Sequence, residues 1–148
     1  MHLVDSNVWL ALSIDLHSHY QVASDWFSSV TRAGSLLFCR STQQSFLRLL
    51  TLKSVFDPYG IAPLTNQGAL HAYDRLLAEG LVVFQPREPV GVTDLWREYA
   101  SRSTSSPKLW MDAYLAAFAV AGGYRFVTTD TAFVQFSGLD LVLPGSDA

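Results

Sequence analysis

The sequence contains a single cysteine, Cys39, so no disulfide bond can form within one chain. Cys39 ends the apolar run Leu36-Leu37-Phe38, and we expect a buried thiol there, as in a reducing compartment. No apolar run approaches the ~18 residues of a membrane span. The first residues also lack the basic region and the cleavage site of a signal peptide. These absences predict a cytoplasmic protein without membrane contact.

Charge is also sparse, because only 16% of the residues are charged and the formal net charge is −3. A negative balance argues against a non-specific nucleic-acid binder, although acids that hold a metal would leave a different surface charge. The 49% hydrophobic content excludes a disordered chain and, with 148 residues, predicts one domain spanning residues 1–148. Zinc-ligand spacing, a P-loop, GxSxG and GxGxxG are all missing. Nine Phe, six Tyr and four Trp are more than a small core needs, which indicates a surface for a partner.

Short apolar segments alternate along the chain with segments of helical spacing, in which apolar residues recur every three or four positions. The predicted strands are 3–4, 35–39, 81–84, 125–128 and 139–143. Predicted helix caps are Ser41 or Thr42, Thr65 or Asn66, and Thr93. This alternation predicts an α/β fold with a parallel sheet of four or five strands flanked by helices.

Three aspartates occupy positions that suggest a binding site. Two follow strands at the edge where a parallel sheet binds its ligands, and one lies in an apolar helix where a buried carboxylate needs a partner. Asp5 follows the first strand, and Asp130 follows the fourth, each at a carboxyl end. Asp112 lies in the almost entirely apolar helix 110–121, where an unpaired carboxylate would be costly. Asp130 alone would be explained as a helix N-cap. Together the three predict an oxygen-ligand site for Mg²⁺ or Mn²⁺, which suits phosphodiester hydrolysis by a metal-activated water.

Four motifs run along the whole chain: Asp5-Ser6-Asn7, Arg48-Leu49-Leu50-Thr51, the block 110–119 around Asp112, and Thr128-Thr129-Asp130 with Phe133. In these motifs and in their order the chain resembles a known family, the PIN domain, and more narrowly the VapC toxins of VapBC toxin–antitoxin pairs. The block around Asp112 is the most specific of them.

The resemblance implies a Mg²⁺- or Mn²⁺-dependent endoribonuclease that cleaves structured RNA such as tRNA or rRNA. It implies Asp5, Asp112 and Asp130 as metal ligands, with Asn7 and Thr128 orienting them. It also implies a homodimer that is held inactive by a VapB-like antitoxin. We expect the antitoxin's C-terminal segment to lie in an apolar groove and to extend a basic residue toward the carboxylates.

One position departs from the family pattern, which has a glutamate three residues before the arginine of the third helix. Ser45 stands there, and Gln44, one helical turn from Arg48, is the neutral oxygen that we expect to face the site instead. A neutral ligand should weaken metal binding. Asp94 is a distant substitute and is better explained as an acid at a helix N-terminus. The RNA backbone contacts that we expect come from Arg48, Arg102 and Lys108.

Two other functions remain open at this stage. The first is a PIN-like binding or regulatory module that lost its activity together with the glutamate. The second is a haloacid-dehalogenase-like phosphatase, which also has a nucleophilic aspartate after its first strand. That chemistry needs another acid two residues later, where this chain has Asn7, and no late catalytic lysine is evident.

Overall fold

The computed structural model describes residues 1–146, so the last two residues of the predicted 1–148 domain lie outside the described residues. Five short strands form one sheet in the order β3-β2-β1-β4-β5, and every neighbouring pair is parallel. The strands are β1 (His2–Val4), β2 (Leu36–Phe38), β3 (Val82–Phe84), β4 (Arg125–Val127) and β5 (Leu141–Val142). The predicted parallel α/β fold is therefore confirmed.

Helices connect the strands and cover both faces of the sheet. They are α1 (Ser6–Ser13), α2 (Tyr20–Ser29), α3 (Arg40–Leu50), α4 (Lys53–Phe56), α5 (Asn66–Ala78), α6 (Val92–Ala100) and α7 (Leu109–Gly122). Short 3₁₀ helices span Asp57–Tyr59 and Thr131–Gln135. Within residues 1–146, no helix is both long enough and apolar enough to cross a membrane.

Two hydrophobic cores lie on opposite faces of the sheet, because successive strand side chains point to opposite faces. In β1, Val4 packs into the core with α1, α3 and α5, whereas Leu3 packs into the core with α7. Both side chains are fully buried, as expected for the central strand of a parallel sheet. Since β1 lies between β2 and β4, the residues that follow these three strands meet at one edge.

Several predicted helix ends are wrong, and each has a local cause. Helix α3 begins at Arg40, because Cys39 is its N-cap and Thr42 Oγ1 accepts a hydrogen bond from the Cys39 amide at 3.0 Å. Cys39 itself is buried, as predicted. Helix α6 begins at Val92, one residue before the predicted cap Thr93, and its N-cap is Gly91. The predicted Thr65 cap of α5 is confirmed, since its hydroxyl accepts from the Gly68 amide at 3.1 Å.

Candidate metal centre

Asp5 lies between the end of β1 and the first turn of α1. Its amide donates to the Val127 carbonyl oxygen at 2.8 Å, so the backbone still continues the sheet ladder. Asp5 is the N-cap residue of α1, but its side chain forms no capping hydrogen bond, and the residue is only 7% exposed. Its carboxylate is consequently held at the carboxyl edge of the sheet and is not used to stabilise the helix.

Thr128, which is fully buried, connects Asp5 to the end of β4. Its hydroxyl oxygen lies 2.8 Å from Asp5 Oδ2 and accepts hydrogen bonds from Asn7 Nδ2 and the Asp130 amide, both at 3.1 Å. A threonine hydroxyl has one proton and two acceptor positions. Because both acceptor positions are used, the proton is directed at Asp5. Asn7 Oδ1 also accepts from the Thr129 amide at 3.3 Å, which fixes the orientation of the Asn7 amide.

Asp112 and Asp130 share a cation from the chain itself. Lys108 Nζ lies 2.8 Å from Asp130 Oδ2 and 3.7 Å from Asp112 Oδ2. Asp112 is in the first turn of α7, four residues after Lys108, and its side chain is 15% exposed. Asp130 also accepts from the Ala132 amide at 2.9 Å, so its predicted role as a helix N-cap is confirmed. Both carboxylate oxygens of Asp130 thus have a partner, because Oδ1 accepts from the Ala132 amide and Oδ2 from Lys108.

The pKa values of the three carboxyl groups differ because their surroundings differ. Burial raises the pKa of Asp5 to about 6, and the nearby Asp112 carboxylate adds to the rise against the opposing Thr128 hydrogen bond. Burial also raises the pKa of Asp112, although Lys108 opposes that rise. In contrast, the hydrogen bond from Lys108 lowers the pKa of Asp130. The pKa is therefore raised at the two more buried carboxyl groups, Asp5 and Asp112, and lowered at Asp130, which has the closer contact with Lys108.

Ser45, at the position of the family's glutamate, reaches the site through one intermediate. Its hydroxyl lies 3.0 Å from the Ser6 hydroxyl, which in turn donates to Asp5 Oδ1 at 3.4 Å. Gln44 is exposed and lines a groove beside the site. Ser45 is thus connected to Asp5 through Ser6, whereas Gln44 lies on the wall of the groove.

The predicted RNA-binding residues lie on different sides of the carboxylates. Arg48 lines the same groove as Gln44. Arg102 borders a hollow next to Asp112, and its guanidinium donates to Gln135 Oε1 at 2.9 Å. Lys108 borders that hollow as well, but its ammonium group contacts the acids. Asp94 is an exposed acid in the first turn of α6, as expected for a helix N-terminus.

The donor set matches a hard divalent cation, since every candidate ligand is an oxygen. No three His, Cys, Asp or Glu side chains within residues 1–146 are close enough to enclose a metal by themselves. Mg²⁺ usually keeps several waters and needs only one or two carboxylates directly. Lys108 bound between Asp112 and Asp130 is a cation at this position. The residues therefore fit a water-rich Mg²⁺ or Mn²⁺ site.

Sequence reasoning missed three contributors to this centre, namely Ser6, Ser45 and the ion-pairing role of Lys108. The pairs Ser6–Ser45 and Lys108–Asp130 are separated by 39 and 22 residues, so only the tertiary fold brings them together. The Lys108–Asp112 pair is spaced i, i+4. That spacing at a helix start was the one signal available in the sequence.

Comparison with known proteins gives matches that cover nearly the whole chain. The family model of the PIN domain matches residues 2–139. Ribonuclease VapC41 of Mycobacterium tuberculosis is 48% identical over 143 residues, which are 97% of this chain and 98% of that protein.

Two solved structures share the fold at low sequence identity. The Mycobacterium tuberculosis toxin VapC20, described as cleaving the sarcin-ricin loop, has a TM-score of 0.61 at 16% identity and covers 94% of this chain and 98% of its own. VapBC2 of Rickettsia felis, solved with a DNA fragment of its promoter, has a TM-score of 0.60 at 13% identity. That match covers 96% of this chain and 97% of the other.

Proposed function

Because this chain belongs to the PIN-domain family and is a ribonuclease of the VapC type, we propose that Asp5, Asp112 and Asp130 bind Mg²⁺ or Mn²⁺ for its endoribonuclease activity. The observation that carries this assignment is the ammonium group of Lys108, which lies between Asp112 and Asp130. The carboxylate of Asp5 is buried close by. When bound, the metal would activate water and neutralise charge on the scissile phosphate. We propose structured RNA, such as tRNA or rRNA, as the substrate.

The residues around Asp5 hold its carboxylate in one orientation. Asn7 and the Asp130 amide occupy both acceptor positions of the Thr128 hydroxyl, so Thr128 donates to Asp5 Oδ2. Ser6 approaches only the other oxygen, and at the longer distance of 3.4 Å. Asp5 Oδ1 is therefore the oxygen that we assign to the metal. Partners of this kind typically change metal affinity about 10- to 100-fold.

We propose a VapB-like antitoxin and a second copy of this chain as protein partners, and the cytoplasm as the place of action. Structures such as VapBC2, in which a related fold is crystallised as a VapBC pair, support the antitoxin. The buried thiol of Cys39 agrees with a reducing compartment.

Cleavage of purified total tRNA and rRNA in the presence of Mn²⁺ tests the proposed function. We expect the wild-type protein to cut RNA with Mn²⁺ or Mg²⁺ and to stop when the metal is chelated. Asp5→Asn and Asp112→Asn should reduce cleavage to the chelated background, because each removes a charged ligand. Asp94→Asn is the matched control, since Asp94 is an exposed acid in the first turn of α6 and should leave cleavage unchanged.

Two results would contradict this assignment. If Asp5→Asn or Asp112→Asn cuts as fast as wild type, the carboxylates do not carry the reaction. If the wild-type protein binds RNA but does not cut it with either metal, the regulatory module without the family's glutamate becomes the better description.

A further inference from the structure

A groove with a volume of about 620 Å³ runs between α3 and α7. Its walls include two arginines, three aromatic residues and the acid Glu88, together with Ser45: Arg40, Arg48, Trp96, Trp110, Tyr114, Glu88 and Ser45. Ser45 is also the residue that contacts Asp5 through Ser6. A chain that lies in this groove is therefore led to the metal centre.

The aromatic side of the groove includes the start of α7, where side chains are exposed although most of that helix is buried. Trp110 and Met111 are 58% and 61% exposed, although the rest of α7 is rich in fully buried residues. Trp96 Nε1 donates to the Trp110 carbonyl oxygen at 3.0 Å, and the two rings are 5.9 Å apart. This contact fixes the start of α7 against α6. Large apolar side chains at the mouth of a site are typical of a binding surface.

The opposite side of the groove is cationic. Arg40 and Arg48 form no ion pair with a carboxylate in the described part of the chain, residues 1–146. The Arg40 guanidinium lies 4.6 Å from the centre of the Phe84 ring and donates to Gln43 at 2.6 Å. In a chain with a net charge of −3, two uncompensated arginines on one wall form a local site for an anion.

Resting on the proposed ribonuclease function, we propose that this groove binds an unpaired nucleotide of the RNA next to the cleaved bond. The base stacks on Trp110, and Arg40 and Arg48 contact the backbone phosphates. Stacking platforms combined with a cationic wall are characteristic of single-strand recognition. Glu88, whose carboxylate accepts from the Tyr114 hydroxyl at 2.9 Å, provides an acceptor for an amino group of the base. This combination favours RNA over an apolar peptide as the occupant.

Binding of a fluorescent single-stranded oligoribonucleotide, measured by anisotropy in an Asp5→Asn background that does not cut it, tests the groove. Trp110→Ala should weaken binding roughly 5- to 100-fold, as expected for loss of one stacked base, without changing the salt dependence. Arg48→Ala should weaken binding and reduce the slope of log K against log salt by about 0.7. Trp110→Phe should recover part of the loss.

The control is Leu16→Ala, which removes an apolar side chain of similar exposure, 66%, outside the groove and should leave binding unchanged. If Trp110→Ala matches this control, or if an RNA duplex of the same sequence binds equally well, the proposal is wrong. Unchanged RNA binding by Trp110→Ala, with lost co-purification of the neighbouring gene's protein, would assign the groove to the antitoxin. Because binding is measured without cleavage, a failed nuclease assay does not alter these outcomes.

Discussion

At the residue scale, Lys108 has the same partners that we assign to the metal. Its ammonium group contacts Asp130 and Asp112, so a divalent cation has to displace it to reach both carboxylates. Lys108 is 72% exposed, and exposed ion pairs contribute at most ~1 kcal/mol, so this competition is modest. The competition between Lys108 and a divalent cation affects metal binding, so it can be measured without RNA.

Replacing Lys108 by Met is expected to tighten Mn²⁺ binding by up to about fivefold, because the competing cation is removed. Titration calorimetry or Mn²⁺ electron paramagnetic resonance measures the change. Lys53→Met is the matched control, since Lys53 forms another exposed i, i+4 ion pair, with Asp57 at 2.8 Å. Weaker Mn²⁺ binding by Lys108→Met would show that the lysine supports the carboxylates and does not compete for them.

The raised pKa of Asp5 predicts an unusual pH dependence of stability in the metal-free protein. Between the ordinary carboxyl pKa and about 6, the folded state binds more protons at Asp5 than the unfolded state does. The free energy of unfolding therefore falls as the pH rises through this window and is constant above about 7 with respect to this group. The total contribution is on the order of 3 kcal/mol, at 1.36 kcal/mol per pKa unit.

Urea denaturation with a chelator present, at several pH values from 5 to 7.5, measures this effect. Asp5→Asn should unfold at higher urea concentration than wild type at pH 7.5 and should lose much of the decrease between pH 5 and 7. Asp94→Asn should keep the wild-type profile. Equal stability of wild type and Asp5→Asn at pH 7.5 would contradict the cost assigned to the ionised carboxylate.

At the element scale, the order of strands and helices could be predicted because it depends on local patterns. The strand at 36–38 is continuously apolar, and the helix ending at Gly122 is followed by Gly123, whose φ of +68° suits a helix end. Helix starts were harder, because a cysteine cap such as Cys39 is uncommon and because Gly91 and Thr93 are about equally good caps for α6.

The site was predictable to a similar extent. Strand-end positions indicated Asp5 and Asp130, and burial in an apolar helix indicated Asp112. Which residue of α3 faces the site was not predictable. Gln44 lies four residues and Ser45 three residues before Arg48, and both spacings place a residue on the same helix face as Arg48. Only the packing of α3 against α1 directs Ser45 toward Ser6.

The orientation of Ser45 toward Ser6 predicts the effect of adding a carboxylate to α3. Ser45→Glu should tighten Mn²⁺ binding roughly tenfold, equivalent to ~1.4 kcal/mol, because a fourth carboxylate then lies near Asp5. The same variant should melt at a lower temperature in the presence of a chelator, because the carboxylates repel one another. Calorimetric titration and thermal melts measure the two effects. Gln44→Glu, at the next position on the same helix, should change both much less, and the reverse order would show that Gln44 faces the site.

At the scale of the whole molecule, the sheet edge with the carboxylates is covered on one side by α3 and on the other by α7. The exposed apolar residues are not confined to the groove between them. Leu70 on α5 is 50% exposed and lines a depression with Leu47 of α3 and Thr51, which follows that helix. Ile61 and Leu64, just before α5, are 50% and 39% exposed. This surface lies on the far side of α3 from the wall formed by Trp110, and Arg48 borders both the depression and the groove.

We therefore expect a homodimer in which Leu70 is buried at the contact between copies. Leu70→Glu should shift the protein from dimer to monomer in sedimentation or light-scattering measurements, because a carboxylate buried against apolar residues is not compensated. Leu16→Glu places the same charge on a side chain that is 66% exposed elsewhere and should leave the dimer intact. Retained Mn²⁺ binding by Leu70→Glu would show that the fold survives. A wild-type protein that is monomeric at all concentrations, or a Leu70→Glu variant that stays dimeric, would contradict this assignment of the surface.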